Sequence, residues 1–378
     1  MSSGDDRKQV LKTIWDAAID AVSGQQAVEN AIANDSPWQP DLIIAVGKAA
    51  TGMCRGALNS LTGPCETILV TKYDHADDDM RAREAVTVIE SGHPIPDQHS
   101  LDAGAALLER VQSMPADSRL LVLVSGGASA LAEALPVGMD LEDLQAIADE
   151  MISTGKTIGE INSRRKQTSL IKDGKLLQQF SGAEIRVYAI SDVEGDSIST
   201  VGSGIGDCHR AAAKAKSNII ASNQIARARA ADTATILGLK VQQNRETLYG
   251  DVFKLAELIG SYLRDAAAGV YIWGGEPTIV LPGCPGQGGR NQSLALAVSH
   301  HLSGKDNITL LVAGTDGTDG PTTAAGGMVD GNTFARADAA RVALENADAG
   351  RYLAEQNCLF VTGPTNTNVM DLAIAIVD

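Results

Sequence analysis

Two kinds of apolar pattern alternate along the chain. Val10, Leu11, Ile14, Trp15, Ala18, Ile19 and Val22 recur at helical spacing within residues 8–32, which predicts an amphipathic helix covering a core. Short unbroken apolar runs follow: LIIAV at 42–46, TILVT at 67–71, VTVIE at 86–90, LLVLV at 120–124, IRVYAI at 185–190 and NIIA at 218–221. Helical patterns lie between them, at 49–61, 99–113, 140–154, 159–170 and 223–237. Runs without polar alternation are strands covered on both faces, so residues 1–240 predict a parallel sheet flanked by helices. The polar stretch LKVQQNRETLYGD at 238–250 reads as a crossing between domains or as a short strand. Residues 241–378 predict a second, smaller α/β domain. Its elements are a helix at 251–267, strands at 269–273 and 277–281, a helix at 289–302, a strand at 307–313, a helix at 335–347 and strands near 359–362 and 372–377. A length of 378 residues also favours two domains over one.

The strands end in a characteristic way. LIIAV runs into Gly47-Lys48, LLVLV into SGGASA (125–130), and IRVYAI into SDVEGDSISTVGSGIGD (191–207). VYIW runs into GGEPT (274–278) and LLVA into GTDGTDG (314–320). In open parallel sheets ligands lie beyond the carboxyl ends of strands, so five Gly-rich polar loops there predict one composite site.

Each loop offers distinct chemistry. Backbone N–H groups of Ser125, Gly126, Gly127 and Ser129, at a turn into a helix, can cradle a phosphate or can simply form a tight turn. No GxxxxGK[ST] sequence occurs, so this is not a Walker A loop. Gly286-Gln287-Gly288-Gly289-Arg290-Asn291 places a guanidinium at a helix start, which suits a phosphate or carboxylate. Lys48, one glycine beyond the first strand, can be a point charge for phosphate, a transition-state stabiliser or a surface lysine. Asp192 and Asp196, and likewise Asp316 and Asp319, are loop carboxylates able to hold Mg²⁺, to accept a proton from a hydroxyl, or to cap turns. His93 in SGHPIPD follows the third strand, beside a proline. Asn162 shares a helical face with Arg165 or Lys166.

Charge and composition narrow the partners. A net charge of −16 argues against nucleic acid and anionic membranes, so an anionic ligand must be held by local cations, backbone N–H groups or a metal. Five scattered cysteines with no CxxC pair argue against a zinc ribbon and a disulfide framework. The polar MSSGDDRKQ start and the absence of an apolar run of about 18 residues lead to the expectation of a cytoplasmic protein. No GxSxG, no HExxH and no dinucleotide fingerprint occurs, and Gly202-Ser203-Gly204-Ile205-Gly206 has the wrong spacing for the last.

Together the stretches AVGKAATGM (45–53), SGHPIPD (91–97), LVSGGASAL (123–131), INSRRKQTSLIKDGKL (161–176), ISDVEGD (190–196), GGEPTIVLPGCPGQGGRNQSLALA (274–297), AGTDGTDGPTTAAGG (313–327) and FVTGPTNTNVMDL (360–372) resemble one family. It is the glycerate 2-kinases whose C-terminal half is the MOFRL domain. The resemblance implies a larger N-terminal Rossmann-like domain, a smaller C-terminal α/β MOFRL domain and an active site in the cleft between them. It implies transfer of the γ-phosphoryl group of ATP to the 2-hydroxyl of D-glycerate with Mg²⁺. The family's catalytic positions match Lys48 and Arg290, and its acidic loops supply Asp192, Asp196, Asp316 and Asp319. The position of Asp192 and Asp196 after a strand in the same rim as Lys48 makes one of them the expected proton acceptor, and Asp316 and Asp319 are the expected metal ligands. The expected substrate or nucleotide contacts are Gly47, Ser125, Gly126, Gly127, Ser129, Asn162, Arg165, Glu276, Gly288, Gly289 and Asn291. Three departures stand out: Ala128 replaces a third glycine, Gln167 replaces a histidine, and GSGIG replaces ASGPT at 202–206. Some members carry the name hydroxypyruvate reductase, so a nicotinamide-dependent reductase is the competing reading. The sequence leaves a homodimer open.

Overall fold

The computed structural model describes residues 4–146 and 167–378, so the expected helix at 159–170 and the end of that at 140–154 lie largely outside the described residues. The compact units are not two consecutive halves of the chain. One comprises residues 23–222 with 366–368; the other comprises residues up to Val22, residues 223–365 and residues 369–378.

The 23–222 unit is built on β1 (Leu42–Val46), β2 (Glu66–Lys72), β3 (Val86–Ser91), β4 (Arg119–Val124), β5 (Glu184–Ile190) and β6 (Lys214–Ala221). They form a single six-stranded sheet in the order β3-β2-β1-β4-β5-β6, with every pair parallel. The expected apolar runs are these strands. Leu42, Ile44, Val46, Leu120, Val122 and Val124 are all but fully buried, which is why β1 and β4 show no polar alternation. The order reverses between β1 and β4. Loops leaving those neighbours diverge to opposite faces, and the crevice that opens at their carboxyl ends is where such sheets hold ligands.

The second unit contains β7 (Val241–Glu246), β8 (Gly250–Asp251), β9 (Gly269–Gly275), β10 (Pro277–Thr278), β11 (Ile308–Gly314), β12 (Gly326–Asp330), β13 (Leu359–Phe360) and β14 (Asp371–Val377). Its main sheet runs β13-β12-β11-β14-β9-β7 and is mixed. β14 is antiparallel to both β9 and β11, β12 is antiparallel to β11 and β13, and β7 is parallel to β9. The polar stretch near 240 therefore carries an edge strand. The strand expected at 277–281 shrinks to Pro277–Thr278, paired with β8 outside the main sheet.

The antiparallel register matters for the site. Asp371 pairs with Gly275 on one side and Gly314 on the other. One rim of the sheet thus joins the carboxyl ends of β9 and β11 to the amino end of β14. The rule for open parallel sheets does not describe this rim; its chemistry comes from strands running both ways.

The helix Gly4–Val22 belongs to this unit although it opens the chain. Leu11, Ile14, Trp15, Ala18 and Val22 form its buried stripe. Trp15 meets Phe360 edge-on at 5.5 Å between centroids. Arg7, itself buried, donates from Nε to Thr309 Oγ1 (2.9 Å) and from Nη1 to Asp378 (2.7 Å).

Candidate functional site

In the 23–222 unit the loops after β1 and β4 are locked together. Ser125 donates its backbone N–H to Val46 O (3.0 Å), and Lys48 donates its own to Gly126 O (2.9 Å). Ala49 N donates to the buried Ser125 Oγ at 3.0 Å. Gly47 adopts φ +134°, and a Cβ there would sit 2.1 Å from Ser125 Oγ and 2.6 Å from its carbonyl oxygen. A side chain at 47 would break this joint. Ser125 is thus a brace between the loops, with its hydroxyl committed to Ala49.

Around Gly126 and Gly127 three functional groups gather. A Cβ on Gly126 would lie 1.8 Å from Asp192 Oδ2, so the carboxylate rests directly against that backbone. A Cβ on Gly127 would meet Lys48 Cγ at 3.0 Å and His93 Nε2 at 3.2 Å. The structure therefore brings Gly47, Lys48, Ser125, Gly126, Gly127 and Asp192 to one point at the sheet's switch in order. It adds His93, which a lone histidine beside a proline did not clearly announce. Burial, then the charges of Lys48 and Lys72, push the His93 imidazole down to about 4, so it is neutral at pH 7.

Ser129 lies one turn on, its hydroxyl 2.9 Å from that of Ser203 in the GSGIG segment. Asp173 N and Gly174 N donate to Ser203 O and Gly204 O, which ties the segment to the KDG turn. Asp196 stands in a left-handed turn at φ 50°, its N–H donating to Val193 O. Asn162 and Arg165 lie outside the described residues.

In the second unit Arg290 opens the helix Arg290–His301. Its Nε donates to Asp371 Oδ2 and its Nη1 to Glu276 Oε1, both at 2.8 Å. Burial alone would pull the guanidinium down; Asp371 and Glu276 more than offset it and raise it. Among the described residues Nη2 has no hydrogen-bond partner, which leaves it available to an oxyanion. Asp371 is almost fully buried at the start of β14, and burial pushes its carboxyl up to about 7 against the pull of Arg290. Sequence reasoning passed over it. The available signal was a carboxylate heading an otherwise apolar strand, DLAIAIV.

Asp319 accepts from Asn291 N (3.1 Å) and Gln292 N (2.8 Å), capping the helix from a distant loop. Burial pushes its carboxyl up to about 6, and the two N–H donors and Arg290 restrain it. Asp316 makes an Asx turn, accepting from Thr318 N at 3.0 Å. Gly288 and Gly289 lead into the helix, Gly289 in extended backbone, and among the described residues the buried Oδ1 of Asn291 and Oε1 of Gln292 have no hydrogen-bond partner. Among the described residues no group of three or more His, Cys, Asp or Glu is placed to hold a metal ion.

With this geometry in view, the relatives of the chain decide its family. Residues 10–237 match the family described as Domain of unknown function (DUF4147), and residues 269–371 match the MOFRL family. The chain is 34% identical to a glycerate 2-kinase of Pyrococcus horikoshii over 89% of its own length and 87% of that protein's. It is 32% identical to a D-glycerate 2-kinase of Thermotoga maritima, covering 89% and 90% of the two chains. The chain belongs to the glycerate kinase family with a MOFRL domain. Its fold is also that of a solved member. The crystal structure of the Thermotoga maritima glycerate kinase superposes with a TM-score of 0.88 at 28% identity, over 99% of this chain and all of that one.

Proposed function

We propose that this chain is a D-glycerate 2-kinase, transferring the γ-phosphoryl group of ATP to the 2-hydroxyl of D-glycerate to give 2-phospho-D-glycerate and ADP. The observation that carries the reading is the switch-point cluster, in which Lys48 and Asp192 flank the same pair of glycines. The names of relatives spanning almost the whole chain support it.

Phosphoryl transfer asks for positioning and charge neutralisation more than for covalent chemistry. In this reading the substrate hydroxyl oxygen forms the new P–O bond, the bond from γ-phosphorus to the bridging oxygen breaks, and ADP leaves. Asp192 accepts the hydroxyl proton. Asp196, the alternative acceptor, holds the same loop. Lys48 offsets charge on the moving phosphoryl group. The backbone at Ser125, Gly126, Gly127 and Ser129 lies against the phosphates, with Gly47 allowing the approach. Arg290, held by Glu276 and Asp371, presents Nη2 to an oxyanion, and Gly288, Gly289 and Asn291 shape that helix start. Asn162 and Arg165 complete the ligand contacts.

A nucleotide-borne Mg²⁺ needs only one or two protein carboxylates, since phosphates and waters fill the remaining positions. Asp316 suits that role on the GTDGTDG loop, and Asp319, whose two oxygens receive N–H bonds, fixes the loop beneath it. The ion would neutralise charge on the β and γ oxygens. A cytoplasmic location, where ATP is plentiful, goes with this reading. No helix among the described residues is long and apolar enough to cross a membrane.

The test supplies D-glycerate, ATP and Mg²⁺, measures ADP, and assigns the phosphorylated position by phosphorus NMR. The 2-phosphate is expected. NADH consumption with hydroxypyruvate and no ADP with glycerate would instead favour the reductase, which should carry a Gly-x-Gly turn after β1 where GKAATG stands.

A further inference from the structure

Beyond the switch point, the same rim continues across β2 and β3, and its residues have no role in the mechanism above. The parallel register pairs Val46 with Val70 and Lys72 with Ser91. Lys48, two residues past β1, therefore lies level with Lys72, the last residue of β2, and His93 follows two residues beyond Ser91, the end of β3. Thr71 Oγ1 donates to Gly47 O at 3.1 Å, fixing the end of β2 to the β1 loop. The stem of Lys48 and the Nε2 edge of His93 converge on Gly127. Lys48, Lys72 and His93 are all half-buried. His75 follows β2, its Nδ1 3.2 Å from Tyr73 O and its carbonyl oxygen accepting from Thr51 Oγ1. Glu90, on β3, is paired with Arg81 at 2.7 Å. In a chain of net charge −16, this is a local gathering of cations around a neutral imidazole.

We propose that Lys72 and His93, together with Lys48, form the corner that binds the carboxylate of the acid substrate. The inference rests on the kinase reading for the identity of that acid. The carboxylate of a 2-hydroxy acid sits on the carbon bearing the reacting hydroxyl, so its site must lie a few ångströms from the phosphoryl-transfer point. Neighbouring strands are about 4.8 Å apart, so the end of β2 lies about 10 Å from that of β4, a gap the Lys72 side chain narrows, while the His93 ring, from the loop after β3, already meets Gly127. A compact lysine ammonium supplies charge without demanding a fixed plane. The neutral imidazole supplies an N–H directed at one carboxylate oxygen. A glycerate carboxylate is thereby recognised, and an uncharged polyol such as glycerol is not.

The experiment uses the full chain and the variants Lys72→Met, Lys72→Arg, His93→Leu and His93→Gln. ATP, D-glycerate and glycerol are varied separately in kinetics, and D-glycerate and glycerol are titrated calorimetrically without nucleotide. Lys72→Met and His93→Leu are expected to weaken D-glycerate, in KM and in calorimetric Kd, by about ten- to a hundredfold. The KM for ATP should stay put, the preference for D-glycerate over glycerol should collapse, and Lys72→Arg and His93→Gln should restore part of the loss. A rise in the KM for ATP with D-glycerate unaffected would overturn the proposal, making the corner a phosphate site. So would unchanged D-glycerate binding in the variants, or no D-glycerate binding by the parent chain. If the parent makes no ADP yet binds D-glycerate in a Lys72-dependent way, the corner stands and the kinase reading falls.

Discussion

Arg290 and Asp371 show how a single residue can be read correctly by type and incompletely by partner. GGRNQ announces a guanidinium at a helix start, but nothing near it in sequence names the carboxylate 81 positions away that holds its Nε. Removing the cation should strand a buried charge. Arg290→Ala is expected to lower stability by about 3 kcal/mol, and Arg290→Ala with Asp371→Asn by clearly less, as measured by urea unfolding. Equal losses would mean that the pair is not coupled. Asp319 makes a pH prediction. Its folded pKa lies above its unfolded value, so the folded state holds the proton more tightly and loses relative stability as pH rises from about 4 to about 6. The thermal midpoint of the parent chain should therefore fall relative to that of Asp319→Asn across this window, and a constant difference would refute the assignment. The sequence could name the loop aspartates and could not say which would turn inward: Asp319 caps a helix 27 residues upstream, a contact made only by folding.

At the scale of elements, β1, β4 and the loops after them were legible because a strand buried on both faces writes itself as an unbroken apolar run. The mixed second sheet was not. Its strands show the same unbroken apolar runs whichever way they point, so β9, β11 and β14 could be found without their directions. The joint between the β1 and β4 loops predicts two distinct outcomes for glycine. Gly47→Ala meets the Ser125 backbone at a positive φ and should cost about 2 kcal/mol or more in stability. Gly126→Ala meets the end of the Asp192 side chain, which can swing away. It should leave thermal stability nearly intact and reduce turnover by about a hundredfold, within the range for loss of a positioned acid–base group. Intact turnover in Gly126→Ala would remove Asp192 from the reaction.

For the whole molecule, the division into units escaped the sequence reading because hydrophobic periodicity shows that a helix has a partner face and not where that partner lies. Among the described residues the stripe of Gly4–Val22 packs against elements more than 200 positions later, with Trp15 against Phe360. A fragment covering 23–222 is therefore expected to fold by itself, with cooperative unfolding and dispersed NMR resonances. Deleting residues 1–22 should instead destabilise the unit that contains Arg290 and leave the 23–222 unit's hydrogen-exchange protection unchanged. Loss of protection in β1 and β4 on that deletion would contradict the division.

The placement of that first helix also sets an order of events during translation. At about 5–20 residues per second, roughly 10–40 s separate its emergence from the ribosome from that of the first segment it packs against. Throughout that interval Leu11, Ile14 and Trp15 have no native surface to cover, while residues 23–222 can complete their sheet. The amphipathic helix Gly4–Val22 is thus made long before the segments it docks on, and is a natural client for whatever shields apolar helices at the ribosome exit.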